Sequence, residues 1–212
     1  MLDALELLLT DKYITPSNDS QAVKWCRMEK KKDSLFDSNF KEILTSELVS
    51  IAGGLIAGSL LAWYTDQLIL LPGMLILLPG FLEMSGNVSG SFASRMSSGL
   101  FLKVIKPNRI KTHIIKGNLF ASFFLALVVS LSLGVLAFTF NYFFLGIVTW
   151  KIIIIPVIAG IIANAIEIPL TLFTTLYLFK KGYDPNNIMA PLVTSTGDVI
   201  SIFALLIGVF IL

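Results

Sequence analysis

Residues 152–179 read IIIIPVIAGIIANAIEIPLTLFTTLYLF, and the only charged side chain among them is Glu167. The run exceeds the roughly 20 residues that an α-helix needs to cross a bilayer, and it lacks the ten-residue alternation of a barrel strand. It reads as a helix in lipid. Four other stretches, 43–64, 68–102, 117–145 and 189–212, have the same character. The expected fold class is all-α integral membrane, with five transmembrane helices in 43–212 behind a short N-terminal segment, 1–42. Composition agrees. The 212 residues are 55% hydrophobic and 14% charged, with a mean hydropathy of +0.82, where a soluble domain is about one-quarter charged. Disorder is excluded too, because it needs low hydrophobicity and high net charge, and the formal net charge here is only +2. That balance gives no basis for a nucleic-acid partner. One cysteine, Cys26, leaves no intramolecular disulfide and reads as a free thiol. The N-terminus, MLDALELLLTDK, places an acid before its short apolar stretch and has no small-residue cleavage site, unlike a secretory signal. Residues 2–9 read as an amphipathic surface element or a frayed end.

Lysine and arginine set the expected orientation. Lys12, Lys24, Arg27, Lys30, Lys31, Lys32 and Lys41 precede span 1; Lys103, Lys106, Arg109, Lys111 and Lys116 follow span 2; Lys180 and Lys181 follow span 4. The other side has only Lys151, and Arg95 lies inside span 2. The positive-inside rule then puts the N-terminus in the cytosol and Leu212 outside, in a multi-pass protein of the cell membrane. Span 2 is too long: 68–102 as one helix would measure about 50 Å against a core of about 30 Å. It must tilt, project, or break at Pro72, Pro79-Gly80, Gly86 or Gly90.

Glu83, Glu167 and Asp198 fall inside apolar spans, each about midway. An acid there costs about 2.5–3.5 kcal/mol even on the insertion scale and marks a functional site by default. Each heads a polar stripe at helical spacing: Glu83, Asn87, Ser91, Ser94 and Ser98; Asn164, Glu167, Thr171 and Thr174; Asn187, Thr194, Asp198 and Ser201. Such faces line a common hydrated path, or their hydroxyls join helices by hydrogen bonds. Carboxylate, amide and hydroxyl oxygens suit hard divalent cations, Mg²⁺, Ca²⁺ or Mn²⁺. A soft-metal cage is not available from His113 and Cys26, both outside the spans; His113 reads as a solvated loop residue. Arg95, near the inner end of span 2, is expected to pair with an acid, the alternatives being to anchor to lipid headgroups or to repel cations at an inner mouth. In span 1, Gly53-Gly54, Ala57-Gly58, Ser46 and Ser50 allow close helix approach, either to a second copy or within the subunit.

Two stretches resemble the membrane domain of the MgtE and solute carrier family 41 divalent-cation transporters. They are Ser85-Gly86-Asn87 with Phe92-Ala93-Ser94-Arg95-Met96-Ser97-Ser98, and Asp184-Pro185-Asn186-Asn187-Ile188-Met189-Ala190-Pro191 with Thr194-Ser195-Thr196-Gly197-Asp198. The resemblance implies a five-helix unit that pairs about a two-fold axis with a second copy of itself or a related five-helix chain. It also implies Asp198 as the central ion ligand and Gly86-Asn87 on the path. Glu167 and Glu83 join as metal-site candidates from depth and periodicity. Forty residues before span 1 cannot hold the family's cytoplasmic sensor domains. The expected function is transport of a divalent cation, foremost Mg²⁺ in largely hydrated form, without enzymatic chemistry. Alternatives are a Na⁺- or H⁺-coupled exchanger, with Glu83 or Glu167 carrying the coupling ion, and a non-transporting subunit that binds lipid or a partner.

Overall fold

The computed structural model describes residues 38–69, 71–108 and 112–212. Cys26, the 2–9 element, the basic residues from Lys12 to Lys32, and Arg109 and Lys111 lie outside the described residues.

Long apolar runs without internal glycine-proline corners close into helices, because lipid offers no other partner for backbone groups. The elements are α1 (Ser38–Trp63), α2 (Thr65–Ile69), α3 (Met74–Phe101), α4 (His113–Phe140), α5 (Lys151–Lys181) and α6 (Pro185–Ile211). A π-helical turn, Asn141–Leu145, prolongs α4. Among the described residues four segments are long and apolar enough to cross a membrane: Asn39–Trp63, His113–Leu145, Lys151–Lys181 and Pro185–Ile211. The remaining long helix, α3, has 28 residues but carries Glu83, Arg95 and a series of serines that dilute its apolarity.

The overlong second span is resolved by a break. Pro72 and Gly73 form the corner between α2 and α3, and Gly73 takes φ +83°, a left-handed conformation that glycine adopts without Cβ strain. Asn141 closes the corner by donating from Nδ2 to the Pro72 carbonyl at 3.0 Å, in the space a Gly73 side chain would need. The other candidate breaking points hold. Pro79 stays inside α3, as Pro156 and Pro169 stay inside α5 and Pro191 inside α6. Neighbouring helices and polar side chains compensate such interruptions in bundles.

Helix α6 is central, packed by α1, α3 and α5; α5 also packs on α3 and α4, and α4 on α3. α1 packs chiefly on α6. The apolar core is built from Met74, Leu77, Phe81, Phe92 and Met96 of α3 against Ile152, Ile155 and Ile168 of α5 and Ile202 and Leu205 of α6, all buried. Successive long helices run in opposite directions. Phe101 meets Phe179 edge to face at 5.4 Å, joining the ends of α3 and α5, and Glu42 accepts from Asn187 at 3.3 Å, joining α1 to the start of α6. Lys103, Lys106, Lys180 and Lys181 therefore share this end, called the basic end below. At the opposite end Lys151 donates to the Leu212 carbonyl. Thr112 caps α4 and Asp184 caps α6 through side-chain acceptance from Ile115 and Asn186, so both helices start four residues before the apolar signal does.

Candidate functional site

α3 carries polar residues on two opposed faces. Glu83, Asn87, Ser91, Ser94 and Ser98 are exposed, whereas Ser85, Ser89 and Ser97 are buried against the bundle. On the outer face Asn87 donates to Glu83 Oε1 at 3.0 Å, one turn along, which fixes the carboxylate over the amide. Gly86 is buried where α6 crosses; a Cβ there would meet Thr194 Oγ1 at 3.4 Å. Thr194 is exposed beside that crossing and donates to the Ala190 carbonyl at 3.0 Å.

On the inner face, fully buried Glu167 of α5 accepts a hydrogen bond from Ser85 on Oε2, and its Oε1 has no hydrogen-bond partner. That oxygen lies against the α6 backbone at Gly197, where a Cβ would stand 2.6 Å from it. Glycine is required for this approach. Asp198 follows directly and is half-buried, within electrostatic range of Glu167 on one side and of Glu83 on the other. The structure thus brings the three acids into one sequence, Glu83, Asp198, Glu167, running from the exposed face of α3 into the core.

The stripes do not all share one path. Asn164, Thr171 and Ser201 are buried in the bundle; Asn164 Nδ2 donates to the Gly160 carbonyl at 2.9 Å, and Asn164 Oδ1, Thr171 Oγ1 and Ser201 Oγ have no hydrogen-bond partner. Asn187 sits at the basic end, bound to Glu42 and receiving Ser46 Oγ on its carbonyl at 3.1 Å. Eleven residues separate it from Asp198, about 16 Å of helix. Arg95 departs from the expected pairing with an acid: its guanidinium donates to neutral oxygens of Ser91 (2.7 Å), Asn118 (3.0 Å) and Ser122. A turn-by-turn position opposite α4 places it away from the acids. Sequence reasoning missed Ser85, Ser89 and Gly197 as members of the acidic cluster. Their signal was the i, i+4 pair Ser85 and Ser89 on the face of α3 opposite Glu83, and a glycine beside an acid.

Among the described residues no three His, Cys, Asp or Glu side chains come close enough to hold a metal ion together. The buried half of the cluster is structural support. Ser85→Ala removes the donor to Glu167 Oε2 and leaves a buried carboxylate unsatisfied, an expected loss of about 1–3 kcal/mol. Ser97→Ala, at a buried hydroxyl with no partner, is expected to change little. Thermal unfolding of the two variants in one detergent checks the contrast, and equal melting temperatures would contradict it.

The model of one protein family, MgtE, described as divalent cation transporter, matches residues 78–208, from the first turns of α3 through nearly all of α6. No curated protein matches the chain.

Proposed function

Since the chain belongs to the MgtE family of divalent cation transporters by a match over residues 78–208, we propose that it conducts hydrated Mg²⁺ along the outer polar face of α3. The family membership and the apolar helices make it a multi-pass membrane transporter and not an enzyme. In the proposed arrangement α3 is the fifth crossing and the basic end faces the cytosol. Two copies face one another across α3 about a two-fold axis. Asp198 from each copy binds the ion through its waters near mid-membrane, Glu83 and Asn87 flank it, and Ser91, Ser94 and Thr194 line the way toward the basic end. Gly86 permits the α3–α6 crossing that sets Thr194 beside Asn87. Glu167 packs from behind against the α6 backbone at Gly197, next to Asp198.

The observation that carries this reading is the exposed run Glu83, Asn87, Ser91, Ser94 at membrane depth, next to half-buried Asp198. Left against lipid, Glu83 alone would cost a few kcal/mol; a hydrated seam between two copies removes that cost. Glu167 favours a second reading, ion-coupled exchange, because it is a carboxylate fully buried off the exposed face. The test is flux by the purified protein alone in liposomes across Mg²⁺, Mn²⁺, Co²⁺ and Ca²⁺. Uptake of Mg²⁺ with no other gradient present is expected. Uptake only with a Na⁺ or H⁺ gradient would select the coupled reading, and no divalent flux under any gradient would overturn both.

A further inference from the structure

On the flank of the bundle, between α3 and α4, an open groove of about 510 Å³ is lined by Arg95, Asn118, Ala121, Phe124, Leu125 and Val128. Its apolar lining belongs to neither the acidic cluster nor the polar seam, and Arg95 touches the seam at its edge, through Ser91. Its two ends differ in chemistry. Arg95 and Asn118 stand six residues before the last residue of α3 and five after the first of α4, so both lie about 8–9 Å inside the basic end. From there Phe124, Leu125 and Val128, all exposed, carry the groove ten residues up α4, about 15 Å, to mid-membrane. That is half of a hydrocarbon core of about 30 Å, the depth of one leaflet.

Arg95 is held ready at the mouth. Three of its five N–H groups go to Ser91, Asn118 and Ser122, which fixes the planar guanidinium and leaves two donors for an anion. Its described partners are neutral, so the full positive charge stays available. Arginine matches phosphate oxygens in a two-pronged geometry; here the guanidinium turns inward, toward Ser91 and Ser122, each one turn deeper than Arg95 and Asn118. Lys103, Lys106 and Lys116 occupy the same end of α3 and α4, and basic residues at a membrane surface concentrate anionic lipid there.

We propose that this groove binds an anionic phospholipid, its phosphate on Arg95 and one acyl chain along Phe124, Leu125 and Val128. A cation just inside the basic end, at the mouth of an apolar trough about 15 Å long, fits that molecule, its headgroup drawn in to meet the charge. A peptide segment would need an acid at one end and a full apolar helix face at the other.

Native mass spectrometry of the whole protein, after exchange into detergent doped with phosphatidylglycerol or phosphatidylcholine of identical chains, tests it. Wild type is expected to retain phosphatidylglycerol in preference by about tenfold or more, Arg95→Lys to keep most of that preference, and Arg95→Gln to lose it. Leu125→Trp, which fills the trough and leaves the charge, is expected to reduce retention of both lipids and so serves if Arg95→Gln does not fold. No preference in wild type, or an unchanged preference in Arg95→Gln or Leu125→Trp, would overturn the site. So would equal competition by glycerol phosphate, which would make it a site for a phosphate ion. Absence of bound lipid from a dimer that holds it as a monomer would assign the groove to the second copy instead.

Discussion

Asp198→Asn is expected to lower divalent-cation flux by about tenfold or more, since each 1.4 kcal/mol lost from ion binding is a factor of ten. The substitution keeps the side chain's shape and its half-buried seat beside Gly197 while removing one charge from the run Glu83, Asp198, Glu167. In the paired arrangement it removes two charges from the axis, because each copy contributes one. The remaining acids repel less once Asp198 is neutral, so the variant is expected to melt no lower than wild type, which separates a binding defect from a folding defect. Flux into liposomes loaded with a Mg²⁺ indicator, read beside the melting temperature, checks both. Wild-type flux in a well-folded Asp198→Asn protein would take Asp198 off the path.

Single cysteines along α3, in a Cys26→Ser background, are expected to divide sharply. Those at Ser91 and Ser94 should cross-link between copies in nearly full yield with a short bifunctional thiol reagent, and those at Ser89 and Ser97 not at all. The first pair is exposed and the second fully buried in the bundle. On α6, by contrast, the half at the basic end turns only Asn186, Ala190 and Thr194 outward, so α3 supplies most of the seam. Reactivity should therefore recur every three to four residues along α3. Cross-links at the buried serines, or a strictly monomeric protein in lipid with none anywhere on α3, would show that no second copy covers this face.

Hydropathy found the apolar cores of the helices and could not find their ends. α6 begins at Pro185 and α4 at His113 because Asp184 and Thr112 cap them, and capping chemistry is polar, invisible to a scale that scores lipid compatibility. The 68–102 stretch gave its fault line away through four candidate corners. Pro72 and Gly73 won because Asn141, from a distant helix, seals the turn, a tertiary contact with no local trace. The same limit governs the site. Spacing of three and four residues put Glu83, Asn87, Ser91 and Ser94 on one face, and Asn164, Glu167 and Thr171 on another, both as observed. It fixes which residues of one helix go together, however, and not which way that face turns in the bundle. Hence the α5 stripe points inward, Asn187 belongs to α1 through Glu42, and Arg95 answers Ser122 on α4 in place of an acid.

α1 meets the bundle along a single narrow line. Ser46 and Ala57 are buried, and a Cβ on Gly53 would stand 2.7 Å from Ser195 Cβ, while Leu48, Ile51, Leu55 and Ile56 are exposed and nothing approaches Gly54 or Gly58. Mutational tolerance along this helix should therefore be written in two alphabets. Positions 46, 53 and 57, seven and then four residues apart, accept only small side chains, because a larger one would lift α1 off the helix that bears Asp198. The exposed positions between them, Leu48, Ile51, Leu55 and Ile56, answer to the solvent alone, and in lipid any apolar residue satisfies them, so lineages of this protein can rewrite that outer face of α1 without consequence for the ion.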